Sequence, residues 1–199
     1  MAVGLHEVKF IVHPDVITQR SKFFKSACSP AWGDNTEPVK LPDTTPQIFS
    51  NYLRVLYRSS VPPPGGNGLY NDLARIYILA DELGDLQSAN MVMDELIKSC
   101  EKDSKCPGPS CVNLIIKSTP DNSPLRRLIV DYYTHEFNEA VKLDDRFSTI
   151  FLIAVVNECM RLRLQRQPCI FAMRRPKCYY HQHDESFPEC ETGVVDDRK

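Results

Sequence analysis

The 199-residue sequence contains no apolar run long enough to cross a lipid bilayer. Its longest, residues 150–156, is far shorter than the roughly 20 residues that a membrane-spanning helix needs. The first twelve residues are interrupted by His6, Glu7 and Lys9, so they lack the basic end and the unbroken apolar stretch of a secretory signal. We therefore expect no membrane partner and a cytoplasmic or nuclear protein.

The sequence also lacks a dominant charge and a catalytic motif. The 24 Lys and Arg residues nearly balance the 26 Asp and Glu residues, which leaves a formal net charge of −2. No global field therefore attracts the chain to a nucleic acid. There is no glycine-rich phosphate loop, no nucleophile elbow and no His-Glu-x-x-His sequence. We expect no enzymatic activity and no small-molecule substrate.

The sequence contains eight cysteines, an even number that would suit disulfides in a secreted protein. Without a secretory signal, free thiols or metal ligands are the better interpretation. Cys28 and Cys159 lie among apolar neighbours, so we expect both to be buried as small hydrophobic residues.

The first half of the sequence alternates short β-type and helical patterns. Residues 8–12 predict a strand, and residues 39–41 predict a second short one. Between them, apolar spacing predicts two short helices broken near Ser21. Thr45 and Pro46 provide the cap and first residue of a helix that ends near Ser59.

The rest of the chain is predicted to be helical. Residues 69–83 and 86–100 form a helical hairpin with Gly84 between them, and residues 101–110 combine polar and helix-breaking residues at a boundary. Three further helices are expected at 111–117, from 124 to about 138, and from 144 to about 165. We therefore expect a domain at 1–103, a helical extension at 109–166 and a tail at 167–199.

Several stretches, taken in order, resemble a known family. They are VHPDVITQRSKFF at 12–24, VKLPD at 39–43, FSNYLRVLYRSSV at 49–61, LARIYILADELGDL at 73–86 and SPLRRLIVD at 123–131. This ordered set resembles the BTB/POZ domain, in particular fungal members with a helical C-terminal extension. The resemblance implies an α+β fold, with a small sheet flanked by a helical cluster and a mainly helical extension. The family's first strand is expected to be short or missing, and His13 to be a packed, hydrogen-bonded core residue.

The resemblance also implies a function. BTB/POZ domains are protein–protein interaction modules that act as oligomerisation scaffolds, and many are substrate adaptors of cullin ubiquitin ligases. The expected partner is therefore a protein, either a cullin or a second copy of the chain. By the same resemblance, the contact surface involves the loop before the second strand and the end of the following helix. Trp32 in that loop could equally cover the core. The candidate residues are Trp32, Asp34, Glu37, Arg54, Tyr57 and Arg58.

The tail contains the sharpest chemical pattern in the sequence. Cys178, His181, His183 and Cys190 place two thiolates and two imidazoles within thirteen residues, a ligand set that suits tetrahedral zinc. The alternative is a tail without a core whose cysteines are free thiols, since prolines and charges surround them. No cofactor other than zinc is expected.

A basic stretch precedes these residues and supports a second hypothesis. Arginines recur from Arg161 to Arg175, so the chain could be a nucleic-acid-associated regulator with a zinc-binding tail. The stretch contains a single aromatic residue, Phe171, and lacks the aromatic interleaving that suits base stacking, and the end of the chain is acidic. We therefore prefer the protein-binding hypothesis and do not expect a nucleic-acid partner.

Overall fold

A computed structural model of the chain describes residues 1–29, 38–61, 68–103, 106–135, 143–165, 175–185, 187–188 and 190. The chain divides into two compact units, Met1–Ser99 and Cys100–Lys199. Within the described ranges the fold is mixed and mostly helical, with eight α-helices and one sheet of three short strands.

The sheet of the first unit consists of β1 (Ala2–Val3), β2 (Val8–Lys9) and β3 (Lys40–Leu41), in the order β2-β1-β3. β1 pairs with β2 in antiparallel and with β3 in parallel orientation. Gly4 follows β1 with a φ of +76°, and a Cβ at that position would lie 3.2 Å from Pro46 Cδ. The turn between β1 and β2 therefore favours glycine.

Helices α1 (Pro14–Arg20) and α2 (Lys22–Ala27) lie between β2 and β3 in the sequence, and α3 (Pro46–Arg58) follows β3. The predicted break at Ser21 is confirmed. The Ser21 hydroxyl accepts the Phe24 N–H at 3.2 Å and donates to the Leu83 carbonyl at 2.6 Å. The predicted cap is also confirmed, since Thr45 Oγ1 accepts the N–H of Ile48 at the start of α3. Ser59 then ends α3 in the left-handed conformation.

Helices α4 (Leu69–Glu82) and α5 (Leu86–Asp103) follow one another at the positions where the two helices of the hairpin were predicted. Gly84 lies between them with a φ of +64°, and a Cβ there would approach Lys22 Cβ to 3.0 Å. The position therefore needs glycine both for its conformation and for space. The core of this unit contains the fully buried side chains Val3, Ile17, Phe24, Phe49, Tyr52, Leu73, Ile76, Tyr77, Met93 and Leu96.

A buried carboxylate joins three helices of the first unit. Asp85 is fully buried and precedes α5, where its Oδ1 accepts the N–H of Ser88 at 3.0 Å. It also accepts the hydroxyls of Ser88 at 2.7 Å and of Tyr52 at 3.1 Å, and Arg20 lies 3.1 Å away. The desolvation of one carboxylate is thus offset by donors from α1, α3 and α5.

The second unit contains α6 (Pro109–Ser118), α7 (Pro124–His135) and α8 (Thr149–Gln165), which pack against one another. Tyr133, Phe147 and Phe151 form an aromatic cluster with ring centroids 5.0 to 5.6 Å apart. The prediction that the last helix starts near residue 144 is wrong. The Asp144 carboxylate accepts the N–H of Arg146, which favours a turn over a helix before Thr149.

Three further expectations about burial are wrong. Cys28 and Cys159 are exposed despite their apolar sequence neighbours, because Cys28 follows the end of α2 and Cys159 lies on the outer side of α8. His13 is exposed as well, although its backbone N–H donates to the Tyr57 hydroxyl at 2.9 Å. Sequence neighbours along a helix point in different directions, so they are a weak guide to the burial of one residue.

Among the described helices, not one combines the length and apolar character that a bilayer crossing requires.

We predict that Asp85→Ala lowers the free energy of unfolding by about 3–5 kcal/mol, because Arg20 and Tyr52 lose a buried partner. Urea denaturation followed by circular dichroism would measure this loss. As a control, Glu7→Gln removes an ion pair with Lys40 whose two side chains are both more than half exposed, and should leave the midpoint unchanged. Equal effects of the two substitutions would contradict the role of Asp85.

Candidate functional site

A short 3-10 turn at Lys177–Tyr180 positions the first two metal-ligand candidates. The N–H of Tyr179 donates to the carbonyl of Pro176 at 2.8 Å, and the N–H of His181 donates to that of Cys178 at 3.3 Å. Residues three apart lie above one another in a 3-10 turn. Cys178 and His181 are therefore presented on the same side of the backbone.

A second turn, between Asp184 and Phe187, brings the chain back towards the 3-10 turn. Asp184 and Phe187 exchange two backbone hydrogen bonds of 3.1 Å, and the Asp184 carboxylate also accepts the N–H of Phe187. The ring of His183 stacks on that of Phe187 at a centroid distance of 5.7 Å. This turn brings Cys190 back beside His181, whose Nδ1 is 3.2 Å from Cys190 Sγ.

The four predicted metal-ligand candidates converge in the structure. The sulfur atoms of Cys178 and Cys190 and one ring nitrogen each of His181 and His183 all lie within 4.8 Å of one another. Zinc bonds of about 2.3 Å to sulfur and about 2.0 Å to nitrogen separate the ligand atoms of a tetrahedron by roughly 3.5 Å. The cluster therefore has the composition and the spacing of a tetrahedral metal site.

The ring of His183 is oriented as a metal-bound imidazole would be. Its Nδ1 is 3.0 Å from the carbonyl oxygen of Pro188, which accepts an N–H at that position. The opposite nitrogen, Nε2, is buried and has no hydrogen-bond partner among the described residues. A backbone carbonyl that holds one ring nitrogen leaves the lone pair of the other available for a metal.

The turn that carries Cys178 and His181 is attached to α7. Tyr180 is 1% exposed, and its hydroxyl donates to Asp131 Oδ2 at 2.7 Å. Next to it, the guanidinium carbons of Arg127 and Arg175 each lie 4.6 Å from the ring centroid of Tyr179, and Arg127 also donates to the Tyr179 carbonyl. The metal-ligand cluster thus rests on the helical part of its own unit.

A second group of potential ligands, Asp131, His135 and Glu158, lies between α7 and α8. Burial raises the pKa of Asp131 and lowers the pKa of His135, whereas the hydrogen bond from Arg161 lowers the pKa of Glu158. Because Tyr180 donates to Asp131 and Arg161 to Glu158, both carboxylates already have donors. These hydrogen bonds favour a polar cluster whose buried carboxylates already have partners over a metal site.

Helix α8 is apolar on two sides. Phe151 and Val155 are buried against the rest of the unit. On the other side, five large apolar side chains are more than half exposed, from 55% for Ile153 to 80% for Leu164. These residues, Ile150, Ile153, Val156, Met160 and Leu164, are called the α8 face below.

The α8 face borders a groove between α7 and α8. Ile150 and Ile153 line it from α8, Arg127 and Val130 line it from α7, and Tyr179 contributes from the 3-10 turn. The groove is therefore partly apolar, and one of its walls belongs to the turn that carries the metal-ligand cluster.

Three of the six predicted protein-binding residues, Trp32, Asp34 and Glu37, lie outside the described residues. Arg54, Tyr57 and Arg58 lie at the end of α3 and are all exposed, with Tyr57 41% exposed and in contact with His13. Their role in binding stays a prediction.

Sequence reasoning missed Tyr180, Asp131 and the α8 face. The signal for the α8 face was present, since apolar residues occupy more of the predicted last helix than one buried side needs. No local pattern indicated the bond between Tyr180 and Asp131, which are 49 residues apart.

Comparisons of the chain with protein-family models, with curated proteins and with solved structures found no match.

We predict that the stability of the metal-free chain falls as the pH is lowered from about 7.5 to about 5.5. Because burial lowers the pKa of His135 below 6.5, only the unfolded chain takes up this proton near that pH. The contribution of His135 is thus present above 6.5 and is lost as the pH falls through the lower folded-state pKa. Urea denaturation at both pH values would measure it.

His135→Asn should reduce this pH dependence, whereas His6→Asn, at an exposed position, should leave it unchanged. An unchanged pH dependence in His135→Asn would show that protonation of other groups is responsible.

Proposed function

We propose that the chain is a non-enzymatic protein-interaction module and that the α8 face is a principal contact surface. The observation that carries this proposal is the exposure of five large apolar side chains on one side of a single helix. Single exposed apolar residues are common on protein surfaces, but a contiguous patch is typical of an interaction site.

The spacing along α8 favours another helix as the occupant. Exposed residues recur at Ile150, Ile153, Asn157, Met160 and Leu164, with alternating steps of three and four. This is the heptad spacing with which two helices pack side by side. Asn157 occupies a central position, where a polar residue fixes the register of a helix pair.

The charges beside the α8 face favour a partner helix with acidic flanks. Glu158 is bonded to Arg161, so among the described residues the exposed Arg163 is the main charge near the end of the α8 face. A partner with acidic residues there would be attracted, whereas a parallel second copy would bring another arginine into the same region. A heterologous helix is therefore the preferred occupant.

The energy available from this surface fits a transient contact. Each of the five side chains is more than half exposed, so covering it contributes about 1 kcal/mol, and the set contributes several. Association costs about 4 kcal/mol or more, so the groove and the flanking charges must add to the affinity.

The first unit supports a BTB/POZ interpretation through the order of its elements. After the short strand β1, one strand, two short helices, a further strand, one longer helix and two successive helices occur in the order that the resemblance implies. We propose on this basis an assembly scaffold or a cullin adaptor, with the exposed end of α3 as its second contact surface.

We also propose that the second unit contains a structural zinc ion bound by Cys178, His181, His183 and Cys190. The ligand set and its spacing support zinc, and the bond of His183 to the Pro188 carbonyl supports binding through Nε2. Four protein ligands complete a tetrahedron, which is typical of a structural site.

The arginines of the second unit give less support to a nucleic-acid partner. Arg126 and Arg161 are bonded to Asp121 and Glu158, and Arg127 is bonded to the Tyr179 backbone. The two ion pairs reduce the positive charge that phosphate groups would meet.

We predict that the purified chain contains one zinc ion, measured by elemental analysis. Cys178→Ser and Cys190→Ser should each abolish its retention, and chelation should lower the unfolding temperature of the unchanged chain. Cys159→Ser is the matched control, because this thiol is exposed and outside the cluster. A purified chain that retains no zinc and takes up none when zinc is added would contradict the zinc proposal.

We predict that Ile153→Asp weakens binding to a helical partner by at least about tenfold, since it places a charge in an apolar contact. Isothermal titration calorimetry with the helical N-terminal region of a cullin tests the adaptor version of the proposal. Light scattering of the chain alone tests self-association. Cys159→Asp adds the same charge at an exposed position beside the α8 face and should bind normally.

Equal cullin binding by Ile153→Asp and the unchanged chain would exclude the α8 face as the cullin-binding surface. No binding to the cullin at micromolar concentration would exclude the adaptor version.

A further inference from the structure

We infer that the hydrogen bond between Tyr180 and Asp131 couples metal binding to the α7–α8 pair, so that the metal controls one wall of the groove beside the α8 face. This inference rests on the proposed zinc site and concerns its regulation. Asp131 and Tyr180 act here as positioning residues, since neither belongs to the proposed ligand set.

The covalent arrangement makes the coupling direct. Tyr180 lies between Cys178 and His181 in the same short turn, and its buried hydroxyl donates to Asp131 Oδ2 at 2.7 Å. Any movement of the turn that takes Cys178 and His181 away from the metal also lengthens this hydrogen bond. Conversely, a turn already held by Asp131 presents two ligands in nearly their final positions.

Breaking the hydrogen bond between Tyr180 and Asp131 destabilises α7. Asp131 is 4% exposed, and the Tyr180 hydroxyl is the donor that the structure shows for its Oδ2 atom. A buried carboxylate that loses its donor is strongly destabilised, and burial already raises the pKa of Asp131. Detachment of the turn therefore disturbs the cluster formed by Asp131, His135 and Glu158.

The same turn also shapes the groove. Tyr179, adjacent to Tyr180, lines the groove together with Arg127, Ile150 and Ile153. Arg127 is bonded to the backbone of Tyr179 and packs on its ring. When the metal is bound and fixes the turn, Tyr179 and Arg127 form one side of the groove next to the α8 face. When the metal is removed, these two side chains are no longer held in place.

Two adjacent tyrosines provide a matched pair of variants. Tyr180→Phe removes the hydroxyl that donates to Asp131 and keeps the buried ring. Tyr179→Phe removes a hydroxyl that makes no hydrogen bond within the described part of the chain, and it keeps the ring between the arginines. Metal affinity is measured by titrating the metal-free chain with cobalt(II) and then displacing it with zinc.

We expect Tyr180→Phe to weaken metal binding by about tenfold or more, and Tyr179→Phe to change it by less than about twofold. The visible spectrum of the cobalt-bound chain should be the same in both variants, because the four ligands are unchanged. A purely structural role of Tyr180 would lower the stability equally with and without metal and would leave the metal affinity unchanged.

Asp131→Asn tests the other end of the bond. It keeps an oxygen acceptor without the charge, so we expect a smaller loss of metal affinity than in Tyr180→Phe. In the double variant the two losses should not add, because both act through one interaction. Additive losses would overturn the inference.

Hydrogen exchange provides an independent readout. In the unchanged chain, chelation should accelerate exchange of the amides in residues 127–135, and this difference should shrink in Tyr180→Phe. If the unchanged chain takes up no cobalt or zinc, the zinc proposal itself is wrong. If it takes up metal and the two phenylalanine variants bind it equally, the zinc site stands and the coupling is wrong.

Discussion

Each unit depends on a buried aspartate that accepts the hydroxyl of a tyrosine from another element. In the first unit, Tyr52 of α3 donates to Asp85 before α5. In the second, Tyr180 of the 3-10 turn donates to Asp131 of α7. A buried carboxylate tolerates few alternative arrangements, because every arrangement without its donors leaves the charge desolvated. Apolar packing alone would allow more ways to assemble these helices, so the two aspartates provide specificity as well as attachment.

The segment around the metal-ligand cluster relies on such directed contacts because it buries little apolar surface of its own. Tyr180 is its one described side chain that is fully buried, and the neighbouring residues are polar or aromatic. A bound metal would supply the stability that a core supplies elsewhere, since the free energy of metal binding becomes free energy of folding. The hydrogen bond to Asp131 would then transmit this stability to the helices. On this proposal, the zinc ion would be a structural element of the whole second unit.

The proposed contact surface is consistent with the same organisation. One side of α8 packs inward through Phe151 and Val155, and the α8 face remains outside. An exposed apolar side on a helix that is also apolar towards its own core is what a contact surface for a further element would present. Because Tyr179 and Arg127 border the same groove, metal binding and partner binding would act on neighbouring atoms. A protein-interaction function and a structural metal are therefore compatible parts of one proposal.

The sequence by itself determined the features that depend on neighbours along the chain. The cap at Thr45, the break at Ser21 and the glycine at position 84 are local, as is the close spacing of the four metal-ligand candidates. Only the tertiary structure decided which side of a helix is covered, so the expected burial of Cys159 was wrong and the α8 face was missed. It also decided the partners of Asp85 and Asp131, because contacts between residues 33 and 49 positions apart depend on how whole elements pack and leave no local pattern.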